Sequence, residues 1–526
     1  MGRTFRESMA WLHTWAGVVL GALLVAIFWM GTLAVFDQEI DRWMMPETRI
    51  AWDAEAGAGY SHDAALDAVR RQHDLSRAQI LWFERPSSRL PVTEFRYLGA
   101  GAEAEWRGPF FLDPRTHERL SVPQTDAGTG FLYPFHYSLH LRWMNLGYWL
   151  VGLAAMAMLV LLVSGVVIHR KIFVDFFTFR RERRLPRSSL DLHNLTGVLG
   201  LPFHFVITLS GLIIFYGIYF PSVEHTVFGD DRAAFSRDAV GTFQREPAGE
   251  PGSLASLDAM AAEATRIWGG DPPWFMRVWH PGDANATVEM RRTAARSIDL
   301  NADTVHFASS TGDVLHTHTA PPVVHVQRYF AGLHLIQFDH WPLRWIYFVL
   351  GLSGCVMIAT GYVYWLEARR KKHAALGLPG VRIVEGLTVG SVTGIVIATL
   401  AFFVVNRLLP LNASFAGAER AALEVWTFYL VWLATFAHAW ARPGTAGWRE
   451  QCGAIATLAL LAPVLNWTTT GDHLIETVSE GYWPVAGMDL LLLIGAATAG
   501  MIAWRLYRCG ATKADQNERD VLEAAE

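Results

Sequence analysis

The sequence predicts an all-α integral membrane helical bundle of about eight transmembrane helices, with two small α+β domains outside the membrane. Three observations predict this fold: an apolar composition, a series of long apolar runs and two long polar segments between them. The chain has 526 residues, of which 52% are hydrophobic and 22 are tryptophan. A chain of this size with so much apolar surface is typical of proteins that face lipid over much of their length.

Eight apolar runs are long enough to cross a hydrocarbon core of about 30 Å, which requires roughly 20 helical residues. They cover approximately residues 10–35, 147–168, 196–220, 344–366, 384–405, 422–440, 452–469 and 488–507. The first run has no small-residue cleavage site before Asp37, so it is interpreted as a retained span and not as a signal peptide.

Clusters of Arg and Lys predict the orientation of these spans. HRKIFVDFFTFRRERRLPR follows the second span, EARRKK follows the fourth, and Arg3, Arg6, Arg505 and Arg508 flank the ends of the chain. The positive-inside rule places all of these in the cytoplasm, so we expect a multi-pass protein of the bacterial inner membrane with both termini cytoplasmic.

This topology predicts the domain organisation. Residues 37–142 and 221–342 are polar and long enough to fold as two small outer domains. The complete assignment is span one at 1–36, outer domain one at 37–142, spans two and three with the basic loop at 143–220, outer domain two at 221–342, span four with a cytoplasmic loop at 343–383, spans five to eight at 384–510 and a cytoplasmic tail at 511–526.

The first four spans contain an internal repeat. WLHTWAG at Trp11 resembles DLHNLTG at Asp191, and the same offset of 180 residues carries Gly31 onto Gly211. FLDPRTHERL in the first outer segment resembles FASSTGDVL in the second, and an LHL tripeptide follows each. The sequence therefore predicts a duplicated unit of helix, outer α+β domain and helix, which spans five to eight lack.

The repeat carries histidines at two depths of the membrane. The inner set comprises His13, His169 and His193, and the outer set comprises His140 and His334, with His136 one helical turn from His140; His204 lies eleven residues beyond His193, roughly 16 Å deeper. An ionisable side chain in a membrane usually faces a bundle interior, a cofactor or an ion path. Two neutral imidazoles from different helices can hold a b-type haem without a covalent bond.

The order of these motifs resembles the PepSY-associated transmembrane proteins. The resemblance rests on His-x-Trp-x-Gly in span one, a DP-x-T turn, LHL before span two, IHRKIF after it and LHNLTGVLGLPFHF opening span three. It covers about residues 5–370. Members of this family are iron-regulated proteins of the bacterial inner membrane, and the better-understood ones are regarded as haem-containing ferric-siderophore reductases.

The resemblance implies a di-haem oxidoreductase that passes electrons from a quinol or a cytoplasmic donor to a ferric siderophore or another ferric chelate in the periplasm. About two b-type haems per chain are expected, with iron ligands among the seven histidines already named. No CxxCH motif is present for covalent attachment, and no GxGxxG follows a strand to indicate a fused flavin domain. Nucleic acid is not an expected partner.

Other interpretations of the same residues stay open. His169 lies in an HRK sequence that is typical of a basic membrane anchor, and His204 is able to form a hydrogen bond between helices. The main functional alternative is a permease-like or binding protein that takes up iron or its chelate without electron transfer. A third treats the outer domains as binding or inhibitory modules for an extracytoplasmic partner.

Overall fold

The computed structural model describes residues 4–52, 60–99, 104–169, 185–220 and 231–523, together with the single residues 222, 226 and 229. Most of the predicted basic loop, residues 170–184, lies outside the described residues, as do the side chains of the predicted tail beyond residue 508.

Helices dominate the described residues. They are α1 (Phe5–Ala34), α2 (Asp37–Met44), α3 (His62–Gln72), α4 (Tyr133–Ser138), α5 (Leu146–Ile168), α6 (Leu185–Leu199), α7 (Leu201–Ile214), α8 (Tyr216–Tyr219), α9 (Arg232–Val240), α10 (Leu257–Ile267), α11 (Pro322–Leu335), α12 (Trp341–Ala375), α13 (Gly380–Leu408), α14 (Arg420–Ala441), α15 (Thr445–Thr470), α16 (Leu474–Ser479) and α17 (Trp483–Glu523). Three short turns of 3₁₀ or π helix cover Pro46–Thr48, Ala127–Leu132 and Trp143–Asn145.

The strands are short. They are β1 (Ala78–Glu84), β2 (Thr93–Gly99), β3 (Trp106–Leu112), β4 (Pro273–Trp279), β5 (Thr287–Arg292), β6 (Thr304–Ala308), β7 (Val314–His318), β8 (Ser414–Phe415) and β9 (Ala418–Glu419).

Six helices of the described chain are long and apolar enough to cross a membrane, and a bent pair brings the number to seven. The chain is therefore a multi-pass membrane protein. The six are Phe5–Ala34, Trp143–Ile168, Trp341–Ala375, Gly380–Leu408, Thr445–Thr470 and Trp483–Arg508. The predicted sixth run, residues 422–440, does form a helix, α14, but this helix does not reach the apolarity of a span. Its first turns carry Arg420 and Glu424, which are both buried.

The predicted third span is not one straight helix. α6 and α7 meet at an angle of 64° around Gly200. Pro202 lies in the first turn of α7 and has no N–H to donate to the preceding turn, which is a usual cause of a kink. The His204 ring packs on Gly200, where a Cβ would collide with it.

Residues Met1–Met44, Pro123–Leu209 and Trp345–Glu526 form one of two compact units. Its central helix is α13, which is buried along most of its length. Gly386, Gly390 and Gly394 lie one turn apart on α13 and receive the side chains of Trp440, Phe436 and Thr435 of α14. Small residues at this spacing let membrane helices approach closely. The Trp29 indole of α1 donates to Thr399 Oγ1 of α13 at 3.0 Å, so the last spans pack directly on the first one.

The second unit, Met45–Val122 with Ser210–Arg344, contains one seven-stranded sheet in the order β3-β2-β1-β4-β5-β6-β7. The two segments predicted as separate outer domains thus contribute strands to one sheet, while their placement outside the membrane stays a prediction. The two segments share this sheet, because β1 pairs antiparallel with β4, from Ile80 opposite Trp279 to Glu84 opposite Phe275. Each of these strands would otherwise leave an unpaired edge, and pairing removes both edges.

α3 and α10 cover one face of the sheet and cap each other. The Asp63 carboxylate of α3 accepts from Ser256 Oγ at 2.6 Å and from the Leu257 N–H at 2.7 Å. Asp258 of α10 accepts from Ser61 Oγ at 2.5 Å and from the His62 N–H at 2.7 Å. Each helix therefore satisfies the free N–H groups of the other, which makes the two halves of the sheet one folded unit.

We expect Asp63→Ala to destabilise this unit by about 1–2 kcal/mol, because free N–H donors at the start of α10 lose their acceptor. The measurement is amide hydrogen exchange of α3 and α10 in the full chain, which should become faster in both helices. Asp67→Ala on the same helix is the matched control, since its side chain is 62% exposed and pairs only with Arg70. Equal exchange in the two variants would contradict the capping argument.

Candidate functional site

Two of the predicted inner histidines lie close together in the first compact unit, which contains α1, α5, α6 and α12. The ring centroids of His13 on α1 and His193 on α6 are 6.2 Å apart, and their planes are at 85°. His13 Nδ1 lies 3.0 Å from the Leu161 carbonyl oxygen of α5 and 3.1 Å from Ser164 Oγ. His193 Nδ1 lies 2.8 Å from the Met357 carbonyl oxygen of α12. Both rings are thus fixed by a backbone carbonyl of a neighbouring helix.

These bonds select the tautomer of each ring. A carbonyl only accepts, so Nδ1 carries the proton and Nε2 keeps its lone pair. Within the described residues, neither Nε2 has a hydrogen-bond partner. Histidines that ligate a metal through one nitrogen usually donate the other N–H to a carbonyl or carboxylate, and both rings have this arrangement.

Each ring also packs against a glycine on the helix that fixes it. A Cβ added to Gly165 of α5 would lie 3.3 Å from His13 Cε1, and one added to Gly361 of α12 would lie 3.2 Å from His193 Cε1. The two glycines are the equivalent residues of the internal repeat, like the histidines themselves. Glycine is required because a side chain at either position would press on the ring.

A cavity of about 690 Å³ opens beside the two rings, and α1, α5, α6 and α12 line it. Its wall includes apolar side chains such as Leu24, Met158 and Leu162. Gly17 and Gly197, one helical turn after the two histidines, also line it, and a Cβ on Gly17 would meet only Leu161 Cδ2, at 3.9 Å. The absent side chain of Gly17 leaves space next to the His13 ring, whereas a Cβ on Gly197 would lie 3.3 Å from Met357 Sδ.

The separation of the two rings would suit ligation of one metal ion by both imidazoles, as in a b-type haem. A metal–imidazole bond is about 2 Å long, and a ring centroid lies about 1 Å behind its nitrogen, so two rings on one metal have centroids about 6 Å apart. The separation of His13 and His193 has this magnitude. The volume and apolar wall of the cavity also suit a large, flat organic cofactor.

His169 and His204 are placed differently from this pair. His169 follows the last residue of α5 and lines the same cavity, and its Nδ1 is buried without a hydrogen bond among the described residues. His204 is fully buried and is bonded through Nε2, at 3.2 Å from the Leu350 carbonyl oxygen. It has no counterpart in the repeat, where Leu24 occupies the equivalent position. The interpretation of His204 as a bond between helices is the one its contacts favour.

The predicted outer histidines His136 and His140 have different surroundings. His136 Nδ1 lies 2.8 Å from the Ile27 carbonyl oxygen, and a Cβ added to Gly31 would lie 2.6 Å from His136 Cε1. His140 follows the end of α4 with a left-handed φ of 54°, its ring stacks on Phe131, and its Nε2 lies 2.9 Å from the Phe131 carbonyl oxygen. Of these two histidines, His136 has the combination of glycine contact and Nδ1 bond that is found at the inner pair, and His140 does not.

In the sheet-containing unit, His334 has the same combination. Its Nδ1 lies 3.1 Å from Ser210 Oγ, and a Cβ added to Gly211 would lie 2.8 Å from its Cε1. Gly31 and Gly211 are equivalent in the repeat, so the local contacts make His136 the counterpart of His334. The offset of 198 residues between these histidines also relates Trp143 to Trp341. The LHL tripeptides instead align His140 with His334.

The last spans hold the segment that carries His136 and His140. The Tyr429 hydroxyl of α14 donates to the Leu139 carbonyl oxygen at 3.2 Å, and Arg420 donates to the Gln124 carbonyl oxygen at 3.1 Å. The Phe131 ring lies 4.9 Å from Phe402 and 5.0 Å from Phe428. α13 and α14 thus fix the backbone of this segment on both sides of α4.

The comparisons with known proteins cover the part of the chain that contains the repeat. The family described as the PepSY-associated TM region matches residues 10–368. The chain belongs to this family. The match contains His13, His193, His136 and His334 and ends before α13. An uncharacterized protein of Pseudomonas aeruginosa is 27% identical over 394 residues, which are 69% of this chain and 92% of the relative. The family resemblance of the motifs is therefore confirmed.

Several residues of this PepSY-associated site were not among the predicted ones. They are the two glycines under the inner rings, Gly165 and Gly361, and the two carbonyls that fix the rings, on Leu161 and Met357. The sequence did hold a signal for the glycines, because SGVVI at Ser164 and TGYVY at Thr360 are 196 residues apart and follow the repeat. The carbonyl partners left no signal, since every residue has a carbonyl.

We expect Gly17→Leu to fill the cavity beside His13 and to abolish haem binding there. Apart from Leu161 nothing lies within 4 Å of the new Cβ, so the leucine side chain should extend into the empty volume without unfolding the bundle. Haem content per purified chain and the thermal midpoint of the haem-free protein are the measurements. Gly453→Leu is the control, because nothing lies within 4 Å of its Cβ either and Gly453 is on α15, outside the cavity lining. Normal haem content in Gly17→Leu would contradict this use of the cavity.

Proposed function

We propose that this PepSY-associated protein is a di-haem oxidoreductase of the bacterial inner membrane that carries electrons outward and reduces a periplasmic ferric chelate, such as a ferric siderophore. The observation that carries the proposal is the pair His13 and His193, at 6.2 Å and nearly perpendicular, each with Nδ1 bonded to a carbonyl of a neighbouring helix. Haem b supplies one-electron redox chemistry when it is bound between such ligands.

The chain's own residues would do three things for the inner cofactor. His13 and His193 would hold the iron through Nε2, while the carbonyls of Leu161 and Met357 keep each Nδ1 protonated and fix the rings. The apolar wall around Leu24 and Met158 excludes water, and low polarity around a haem is one of the means by which a protein sets its potential. His169, at the end of α5, lies at the same cavity as an alternative ligand.

For the outer cofactor, the local contacts favour His136 and His334 as the ligand candidates over His140. Each of the two has a ring against a glycine of its own unit and an Nδ1 that is already bonded, as the inner pair has. The four histidines of this shared pattern lie two in each half of the repeat, so the duplicated unit supplies the same local arrangement twice.

Reduction would release the iron on the outer side. Siderophore oxygens are hard ligands that suit Fe(III), and the ion binds them more weakly after reduction. The proposed electron donor is a membrane quinol or a cytoplasmic protein, and the proposed topology has both termini in the cytoplasm, as the basic flanks predict. The alternative, a permease-like role in which histidines bind iron or its chelate without electron transfer, would use the same Nε2 lone pairs, and haem content distinguishes the two.

The test is the visible spectrum of the full chain purified from haem-replete cells. We expect about two b-type haems per chain, extractable with acidified solvent, with the low-spin bands of bis-imidazole coordination before and after dithionite. A colourless protein would overturn the proposal. One haem per chain would leave the inner site standing and remove the outer one.

A further inference from the structure

The cavity beside His13 and His193 has a charged end. Arg6 of α1 and Arg369 of α12 line it, on the two helices that begin and end there. Arg6 lies two helical turns before His13, about 10 Å along the axis, and Arg369 lies about 12 Å beyond Gly361. Because two turns return to the same face, Arg6 is on the side of α1 that carries His13. The Cα atoms of both arginines are thus offset from the histidine pair toward one end.

Neither arginine is neutralised by a carboxylate among the described residues. Arg6 donates from Nε and Nη2 to the Ile168 carbonyl oxygen, at 3.1 and 2.8 Å. The Arg369 guanidinium lies over the Trp365 ring, 4.7 Å from its centroid. Arg187 also lines this end but pairs with Asp191 at 3.1 Å, so its charge is already compensated. Two positive charges without a carboxylate partner among the described residues therefore lie next to the cavity.

We infer that Arg6 and Arg369 bind the two carboxylates of the haem and thereby fix the direction in which it enters the inner site. This inference rests on the proposed function. A haem carries both carboxylates at one edge of its ring, about 10 Å from the iron, and the arginines lie at about that distance from the histidine pair, measured along their helices. Guanidinium groups bind carboxylates with paired N–H donors.

The experiment compares two probes on the haem-free full chain in nanodiscs: iron protoporphyrin IX and its dimethyl ester, which lacks the two charges. The unchanged protein should bind the free acid more tightly. Arg6→Gln and Arg369→Gln should each weaken binding of the free acid by about tenfold, as expected for a lost charge-assisted hydrogen bond, and leave the ester unchanged. The outer site contributes equally to all variants, so the difference between variants reports the inner site.

Two controls sharpen the result. Arg382→Gln removes a basic side chain that donates to the Trp440 carbonyl oxygen instead of lining the cavity, and its preference for the free acid should stay unchanged. Arg369→Lys keeps the charge but not the paired donors and should lose less than Arg369→Gln. Nanodiscs with and without anionic lipid test the other source of an anion, a lipid headgroup.

The outcomes separate the inference from the proposed function. An unchanged preference for the free acid in both glutamine variants would overturn the inference while leaving the haem site intact. Loss of bound anionic lipid in those variants, with no change in the preference, would assign the arginines to a headgroup and also overturn it. If neither porphyrin binds the unchanged protein, the proposed function is refuted instead.

Discussion

Replacing His13 or His193 with alanine is expected to remove the same single haem of two. Each ring supplies one axial nitrogen, and one remaining imidazole does not replace the pair, so either variant should lose about half of the haem absorbance. The double variant should lose no more than either single one, which is the non-additivity of groups that serve one site. Ferric-chelate reduction by the protein in vesicles should fall to background, because the path across a core of about 30 Å is interrupted.

The control for this pair is His438→Ala. His438 is a partly buried histidine of α14, outside the repeat, and its Nε2 pairs with Glu450 of α15 at 2.9 Å. This variant should keep both haems. If His13→Ala keeps both haems and full reduction while His169→Ala loses one, the ligand is His169, and the perpendicular pair is only a packing contact between helices.

The sequence groups His13 with His193 for a physical reason. The cost of placing an imidazole in a membrane restricts its position, so depth along an apolar run is enough to sort these two histidines into one set. Depth gives no information about the direction of a side chain. These rings differ from His204 in the nitrogen that is bonded, Nδ1 in the pair and Nε2 in His204, and that depends on how the helices pack.

Two features of the fold depend on contacts that are distant in sequence. The joining of the outer halves into one sheet requires β1 and β4, about 190 residues apart, to pair along their edges. Alternation of apolar residues predicts a strand but not its neighbour. Likewise, spans five to eight are recognisable as apolar runs, while their packing through Tyr429 on the segment before α5 is not.

For the outer histidines, two signals in the sequence give different alignments. Two identical LHL tripeptides suggest that His140 and His334 are equivalent, yet His334 lies inside α11 and His140 lies beyond the end of α4. Three letters are a weak signal in an apolar chain, where leucine is common. The glycines under the rings give the better alignment, because a missing side chain at a fixed place is a geometric requirement and not a matter of composition.

His136→Ala and His334→Ala are each expected to cost the outer haem, whereas His140→Ala should keep it. The first two histidines have an Nδ1 that is already bonded and a ring seated on Gly31 or Gly211. His140 already uses Nε2 on the Phe131 carbonyl, so ligation through that nitrogen would break a bond that orders its own loop. Haem content and dithionite-reduced spectra of the three single variants are the measurements. His140→Gln, which keeps a donor for that carbonyl, is the matched control for damage to the loop.

In His136→Ala and His334→Ala the inner haem should remain reducible from the cytoplasmic side. Ferric-chelate reduction should nevertheless stop, because the electron would be held roughly 20 Å or more from the periplasmic acceptor. Loss of a haem in both His140→Ala and His140→Gln, with two haems retained in His136→Ala, would restore the LHL alignment and make His140 the ligand.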